Sequence, residues 1–298
     1  IMFPLFPIEY DEPLFRPPSE AYSMIFQVTL GCSWNKCTFC EMYTGKQFKT
    51  RKIEDIREEI ERVAKLDNSL NKIFLADGNA FVLSFDRLKE ILLIIKEHFP
   101  KVRRISAYAL PQDIMSKTDE ELRELADLGL NLLYVGIESG DDEVLKFINK
   151  SETTESTVKG LKKAREAGIK LSVMIINGMG GRKWSRQHAE NSATVINEIQ
   201  PEYLSTLVLS YPYGFDHFRK RAGSKFDPLE QQELFKELRL FVEKLELDST
   251  IYRSDHASNY LTLKGNLPRD KDRLLDKLDS AITGDGQVYL RSEWQRGL

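Results

Sequence analysis

The stretch Thr29-Leu-Gly-Cys-Ser-Trp-Asn-Lys-Cys-Thr-Phe-Cys-Glu-Met-Tyr43 contains all three cysteines of the chain, Cys32, Cys37 and Cys40. Three thiols this close in sequence can converge on one metal centre and leave one coordination position open. Thiolates are the usual ligands of iron–sulfur clusters, and an iron without a protein ligand can bind a small molecule. The stretch therefore predicts a three-thiolate cluster with one open position, and the rest of the chain is expected to be its scaffold.

The composition is that of an ordinary folded protein. Its 298 residues carry a net charge of −3, and 30% of them are charged. There is no global positive field for nucleic acid or an anionic membrane, and no apolar run long enough to predict a membrane span or a signal peptide. We expect a cytoplasmic protein that acts on a small molecule and not on nucleic acid. An odd number of cysteines in a reducing compartment favours a metal site over disulfides.

Apolar runs alternate with amphipathic, charge-rich stretches after an N-terminal extended arm at 1–23 that is rich in proline and aromatic residues. The runs are typical of buried parallel strands, and the stretches are typical of helices. Strands are predicted at 24–29, 72–76, 103–109, 132–137, 170–176 and 203–210, and helices at 53–66, 85–98, 119–128, 154–167 and 187–199. The spacing of about 30 residues is that of a βαβ unit. Six units predict an α/β fold, a partial (β/α)6 TIM-like barrel over residues 24–213.

The C-terminal part, residues 214–298, is expected to be an extension that caps the barrel and contributes to substrate binding. It contains predicted helices at 228–245 and 269–282 and a short strand at 249–253. Within the core, Gly129, Gly160 and Gly168 fall near helix ends, where a left-handed cap needs no Cβ. Thr118 and Glu121 have the spacing of a capping box.

The cysteine loop follows the first predicted strand, at the carboxyl end of a parallel sheet, where this architecture places active sites. Zinc is the alternative metal, because a histidine could supply the fourth ligand of a structural zinc site. None of the four histidines lies near the cysteines in sequence. The residues favour an iron–sulfur cluster over zinc or uncommitted thiols.

The cysteine loop and four later segments, three of them at strand ends and one at the end of a helix, together resemble the radical S-adenosylmethionine (SAM) enzymes. The closest branch contains oxygen-independent coproporphyrinogen oxidases, methylthiotransferases and elongator-type enzymes. The family's usual loop has three residues between its first two cysteines, whereas this chain has four. The matching segments after the loop are Ala76-Asp-Gly-Asn-Ala80, Val135-Gly-Ile-Glu-Ser-Gly140, Lys163-Ala-Arg-Glu-Ala-Gly168 and Asn177-Gly-Met-Gly-Gly181.

The resemblance implies a 4Fe–4S cluster held by Cys32, Cys37 and Cys40, with S-adenosylmethionine on the open iron. The implied cofactor contacts are Phe39, Asp77, Gly78, Asn79, Ala80, Glu138, Ser139, Arg165, Asn177 and Met179. On the third strand Tyr108 replaces a glutamate of the coproporphyrinogen branch, so Ser106 or Tyr108 is expected to contact the ribose. Two alternatives stay open: Glu138 could form a purely structural salt bridge, and Arg165 could be a solvated charge on a helix face.

The implied reaction is reductive cleavage of S-adenosylmethionine to a 5′-deoxyadenosyl radical, which takes hydrogen from a small-molecule substrate. An external electron donor such as flavodoxin or ferredoxin would supply the electron. Such a site must exclude water and oxygen. The alternatives are a different cleavage or a lyase reaction at the sulfonium, and a non-catalytic iron–sulfur or zinc-binding protein. Without a fourth cysteine, we expect no second cysteine-bound cluster in this chain.

Candidate substrate residues lie in the final third of the chain. The run Asp255–Tyr260 is polar and follows a predicted strand, so it could line the barrel mouth and supply an acid or a base. His256 is its candidate catalytic residue, beside Tyr108 from the core. A turn with Asx-type caps is an equal alternative. The candidates are Tyr211, Tyr213, His217, Arg219, Arg253, Asp255, His256, Ser258, Asn259 and Tyr260.

Overall fold

The computed structural model describes residues 8–223 and 225–296. The first seven residues of the expected N-terminal arm lie outside the described residues. The rest of the arm is irregular except for a 3-10 turn at Pro18–Glu20. Gln27 fixes the arm to the first strand, because its side-chain amide accepts from Asp11 N and donates to Asp11 O, both at 2.9 Å.

Regular elements follow one another with short connections. In chain order they are β1 (Met24–Gln27), β2 (Thr29–Leu30), β3 (Lys49–Thr50), α1 (Ile53–Leu66), β4 (Lys72–Ala76), α2 (Phe85–His98), β5 (Arg104–Tyr108), α3 (Pro111–Met115), α4 (Asp119–Asp127), β6 (Leu130–Glu138), α5 (Asp142–Phe147), α6 (Thr154–Glu166), β7 (Lys170–Asn177), α7 (Gly181–Ile199), β8 (Tyr203–Val208), α8 (Phe215–Ala222), α9 (Gln231–Lys244), β9 (Thr250–Ser254), β10 (Leu263–Leu267) and α10 (Lys271–Thr283).

The chain forms two compact units. Within the described residues, the first unit holds 8–35, 40–135 and 160–171, and the second holds 36–39, 136–159, 172–223 and 225–296. Among the residues that the structure describes, no helix is both long enough and apolar enough to cross a bilayer. The expected division into an arm, a barrel core ending at 213 and a C-terminal extension stays a prediction.

In the first unit, β1, β4, β5 and the start of β6 are parallel neighbours in that order. Strand β4 lies between β1 and β5, and the side chains of Ile73, Phe74 and Leu75 are fully buried. The apolar face of α1 includes the buried residues Ile56 and Ile60, and α1 packs against α2 and β1. This alternation of strand and covering helix brings the carboxyl ends of the strands to one edge.

In the second unit, β7, β8 and β9 are parallel neighbours, and β10 pairs antiparallel with β9. Helix α9 packs against α7 and α10. The segment after residue 213 therefore adds two strands to β8 as well as helices. Tyr252 on β9 is fully buried, and its hydroxyl lies 2.7 Å from the Thr206 hydroxyl on β8.

For several of the longer helices and strands, the structure confirms the predicted first and last residues. Helices at 53–66 and 85–98 and the strand at 72–76 have the predicted limits. The predicted first strand is interrupted after Gln27, and α7 begins at Gly181 instead of residue 187. The short elements α3, α5, α8 and β10 were not predicted, since five to eight residues give little periodic signal.

The local predictions on caps are confirmed with one exception. Thr118 Oγ1 accepts from Glu121 N at 3.2 Å and Glu121 Oε2 accepts from Thr118 N at 2.8 Å, which is a capping box. Gly129 and Gly168 have positive φ angles of 98° and 87°. The prediction for Gly160 is wrong: it lies inside α6, where an added Cβ would be 2.9 Å from the carbonyl oxygen of Pro111. This glycine serves close packing and not a helix cap.

Candidate functional site

The three cysteines lie in the turns between β2 and β3, form no disulfide with one another and are partly exposed. Cys32 and Cys40 belong to the first unit and Cys37 to the second, where Arg221 Nη2 donates to the Cys37 carbonyl oxygen at 2.9 Å. Among the described residues, no three or more His, Cys, Asp or Glu side chains are already arranged around a metal position. The ligand roles of the thiols stay a prediction.

Asp77 begins the turn after β4 in the first unit, and its carboxylate is fully buried. Its Oδ2 accepts from Lys46 Nζ at 3.0 Å and from Gly31 N at 3.1 Å. Burial raises the pKa of the Asp77 carboxyl, and these two donors oppose the rise. Within the part of the chain that the structure describes, its Oδ1 has no hydrogen-bond partner.

Asn79 is the second fully buried polar side chain of this turn. Its Nδ2 donates to Ser33 Oγ and to Asp113 Oδ2, both at 2.7 Å. Burial also raises the pKa of the Asp113 carboxyl. The Oδ1 of Asn79 has no hydrogen-bond partner in residues 8–223 and 225–296. Asp113 was not among the predicted site residues, because no local signal connects it with a residue 34 positions earlier.

Gly78 lies against the ring of Tyr43 in the same unit. A Cβ at Gly78 would lie 2.8 Å from Cδ2 and 3.0 Å from Cζ of Tyr43, and nearer still to Cε2. Tyr43 is 3% exposed, and its hydroxyl has no hydrogen-bond partner among the residues that the structure describes. The turn therefore forms a close contact that only glycine permits.

These unpaired atoms test whether the turn suits the cofactor that the resemblance implies. A buried polar atom without a partner costs roughly 1–3 kcal/mol, so native proteins keep few of them. Two of the atoms, Asp77 Oδ1 and Asn79 Oδ1, are acceptors. An amino group such as that of S-adenosylmethionine supplies donors, and the turn fits it.

Strand β5 contains the two residues predicted to contact the ribose, and their surroundings differ. Ser106 is fully buried, and its hydroxyl donates to Glu20 Oε1 at 3.0 Å. Glu20 Oε1 also accepts from Arg104 at 2.8 Å and Tyr134 at 2.6 Å. Ser106 thus belongs to a network that fixes the N-terminal segment. Tyr108 packs edge-on against Phe74 with ring centroids 5.1 Å apart, and burial raises the pKa of its hydroxyl.

Glu138 ends β6 and belongs to the second unit. It has a positive φ of 68°, which is rare for a residue other than glycine. Its Oε1 accepts from Lys150 Nζ at 3.2 Å, and both side chains are more than nine-tenths buried. The ion pair of the structural alternative is therefore present. Oε2 has no hydrogen-bond partner among the described residues, so an acceptor remains for a ligand hydroxyl.

The next residue, Ser139, is fully buried and lies 2.8 Å from His188 Nδ1. His188 Nε2 lies 3.0 Å from the Ile176 carbonyl oxygen, which can only accept, so Nε2 carries the hydrogen. In the neutral ring, Ser139 donates to Nδ1. His188 was not predicted as part of the site, and its contact ties the end of β6 to α7 within the second unit.

The turn after β7 is held by a carboxylate from α9. Glu237 Oε1 accepts from Asn177 Nδ2 at 2.7 Å and from Gly178 N at 2.6 Å. Met179 is fully buried in an apolar cluster of this unit, and Phe39 packs against that cluster. Phe39 and Met179, two of the cofactor contacts that the resemblance implies, therefore lie in or against the same apolar cluster of this unit. Glu237 could not be predicted, since it lies 60 positions after Asn177.

The remaining predicted residues differ in their exposure. Ala80 is fully buried at the start of a 3-10 turn, and Arg165 is exposed on α6. Tyr213 is 65% exposed and contacts the His217 ring. Arg219 pairs with Asp216 at 3.3 Å.

The Asp255–Tyr260 run is folded back on its own backbone. His256 Nδ1 accepts from Ser258 N at 3.1 Å, and burial lowers the pKa of the imidazole. Asn259 Oδ1 accepts from Val208 N at 2.8 Å, and its Nδ2 donates to Thr206 O at 2.9 Å. Asn259 thus takes the place of a strand partner along β8, and both the substrate role and the turn alternative for this run stay predictions.

Two charged candidate substrate residues, one at the start of this run and one just before it, have partners. Asp255 pairs with Lys264 at 2.8 Å. Arg253 Nη1 donates to the carbonyl oxygen of Tyr252 at 2.8 Å. The hydroxyl groups of Tyr211 and Tyr260, two other candidate substrate residues, take no part in these two contacts.

Comparison with known proteins identifies the family. The Radical SAM superfamily matches residues 26–194. A protein of Methanocaldococcus jannaschii, provisionally named a methylthiotransferase, is 25% identical over 178 residues, which cover 57% of this chain and 37% of that protein. The oxygen-independent coproporphyrinogen III oxidase of Helicobacter pylori is 25% identical over 225 residues, 70% of this chain and 47% of that protein. The chain thus spans half or less of the length of these two relatives.

A solved structure extends the comparison to the fold. Coproporphyrinogen III oxidase from Escherichia coli, a radical SAM enzyme, matches with a TM-score of 0.58 at 19% identity, over 74% of this chain and 52% of that one. This likeness confirms the predicted class, an α/β fold of the partial-barrel kind. The family match covers more than half of the chain and confirms the predicted family and its cofactor pair. The chain belongs to the radical SAM superfamily, whose enzymes bind a 4Fe–4S cluster and S-adenosylmethionine.

Proposed function

We propose that this chain is a radical SAM enzyme that abstracts hydrogen from a small organic molecule. Cys32, Cys37 and Cys40 would hold the cluster through their thiolates. When bound, the cluster and S-adenosylmethionine supply one-electron cleavage of the sulfonium and a 5′-deoxyadenosyl radical. An external donor such as flavodoxin or ferredoxin would deliver the electron.

The observation that carries the proposal is the set of unpaired buried acceptors at the predicted cofactor motifs. In the first unit, Asp77 Oδ1 and Asn79 Oδ1 would accept from the amino group of the cofactor. In the second unit, Glu138 Oε2 would accept from a ribose hydroxyl. Each of these atoms lacks a hydrogen-bond partner in the described part of the chain, so binding would remove a desolvation penalty that the protein carries alone.

The chain's other contribution is to orient these groups. Lys46 holds the Asp77 carboxylate through Oδ2, which leaves Oδ1 for a ligand. Glu237 holds the Asn177–Gly178 turn through two hydrogen bonds. Both anchors act before a ligand arrives, which reduces the entropy cost of binding.

The test is anaerobic reconstitution with iron and sulfide, followed by dithionite and S-adenosylmethionine. We expect 5′-deoxyadenosine, detected by liquid chromatography and mass spectrometry. Cys37→Ala should lose both the cluster absorbance and the product, whereas Thr44→Ala, an exposed substitution in the same loop, should keep both. A different cofactor fragment would favour the other sulfonium cleavage. Full activity of Cys37→Ala would refute the ligand assignment.

A further inference from the structure

The second unit contains a cavity of about 280 Å³ at the carboxyl end of β8. This volume is close to the lower limit for small-molecule sites. Its apolar wall is formed by Val208, Leu209, Pro228, Leu229 and Leu234. Gly178, from the turn expected to contact the cofactor, also lines it, together with Ser210, Tyr211, Tyr260, Glu293 and Arg296.

Arg296 places a buried positive charge in this cavity, since its side chain is only 7% exposed. Its Nε donates to the Ser258 carbonyl oxygen and its Nη1 to Glu293 Oε2, each at 2.8 Å. The guanidinium carbon lies 3.9 Å from the centroid of the Tyr260 ring. Nη2 has no partner among the described residues, and a guanidinium stays charged when it is buried.

Two hydroxyl groups add neutral donors. Ser210 and Tyr211 both line the cavity, and their side-chain hydroxyls can donate hydrogen bonds to a ligand there. Burial raises the pKa of the Tyr211 hydroxyl, so it keeps its proton. The cavity thus combines one fixed cation and two hydroxyl donors with an apolar wall.

The charge of the cavity selects among anions. Glu293 is already bound by Tyr260 and Arg296, and its side chain is 72% exposed. Arg296 is the one cation among the residues that line the cavity. Glu293 already offsets the charge of Arg296, so the free edge of the guanidinium can donate hydrogen bonds to a monoanion, whereas a phosphate dianion would bring a second uncompensated charge into a desolvated site.

We propose that this cavity binds the substrate and that the substrate is a small carboxylic acid with an apolar body. Its carboxylate lies on Arg296, with the hydroxyls of Ser210 and Tyr211 as further donors, and its body lies against the leucine-rich wall. The assignment of this ligand as the substrate rests on the proposed function, because Gly178 joins the cavity to the predicted cofactor turn. The binding itself can be tested separately.

The test uses 3-phenylpropanoate as the probe, with 3-phenylpropanamide as its neutral analogue and inorganic phosphate as the alternative anion. Affinities are measured by calorimetry on the reconstituted full chain with S-adenosylmethionine present. We expect the carboxylate to bind at least about tenfold tighter than the amide, as for a charge-assisted pair, and phosphate not to compete. Arg296→Gln should abolish this preference. Arg186→Gln, a change at an exposed arginine, should preserve it.

Tyr211→Phe, which removes one hydroxyl, should weaken carboxylate binding several-fold and leave amide binding unchanged. It keeps the test valid if Arg296→Gln fails to fold. Equal binding of acid and amide, binding of neither, or an unchanged preference in both variants would overturn the proposal. Formation of 5′-deoxyadenosine is measured in parallel, so absence of the carboxylate preference in the unsubstituted chain, with cofactor cleavage intact, would refute the cavity assignment alone.

Discussion

Substituting Gly78 by alanine tests the close contact at the turn after β4. The added Cβ would lie 2.8 Å from Tyr43 Cδ2 and closer to Cε2. An ordinary van der Waals contact starts near 3.4 Å, so the ring must shift or the turn must move. The ring cannot shift freely, because Phe15 packs on it and Asn35 Nδ2 donates to the Tyr43 carbonyl oxygen at 2.7 Å. Overpacking of this kind costs about 1–3 kcal/mol in unfolding free energy.

The assay is urea denaturation followed by circular dichroism, with binding of S-adenosylmethionine to the reconstituted protein measured in parallel. Gly45→Ala is the matched control, because no atom of the described residues lies within 4 Å of an added Cβ there. We expect Gly78→Ala to be less stable than the control by about 1–3 kcal/mol and to bind the cofactor more weakly. In a Tyr43→Leu background the penalty should shrink, since the colliding ring atoms are gone. Equal stability of Gly78→Ala and Gly45→Ala would refute the reasoning.

Two further predictions concern stability. Burial lowers the pKa of Lys117 to about 8, whereas this lysine has a pKa near 10.5 in the unfolded chain. Between these two pH values the unfolded state binds more protons than the folded state. The unfolding free energy should therefore rise with pH over this range, by up to about 3 kcal/mol relative to Lys117→Met. Parallel pH profiles of the two proteins in urea titrations would contradict this. Thr118→Ala removes one hydrogen bond of the capping box on α4 and should cost about 1 kcal/mol, measured by thermal unfolding against the exposed control Thr194→Ala. A loss no larger than that of the control would exclude a contribution from the cap.

Local signals explain which parts of the fold were predictable. The limits of α1 and α2 follow from apolar residues at helical spacing, which a sequence shows directly. The cysteine loop and the Asp77–Ala80 turn were recognisable because their residues are contiguous. Helix α3 has only five residues and a proline at its start, so its pattern does not differ from that of a turn.

The supporting contacts of the site were not predictable for a different reason. Lys46 and Asp77 are 31 positions apart, and Ser139 and His188 are 49 positions apart. Which distant polar residues meet depends on how the elements pack, and a single sequence carries no pattern for that. The Glu20 network likewise joins the N-terminal segment to residues more than 80 positions later. The motifs that carry the proposed chemistry could be recognised in the sequence. The side chains that orient these motifs could be identified only from the structure.

The amide of Asn259 has a consequence for how this chain can change over evolutionary time. Strand β9 pairs with β8 only as far as Ser205, and beyond that point the Asn259 side chain takes the hydrogen bonds of Thr206 and Val208. A single side chain thus ends the ladder where a longer strand would otherwise be required. The loop between Ser254 and Asn259 is released from the register of the sheet, so insertions there can alter the rim of the neighbouring cavity while β8 and β9 stay in place.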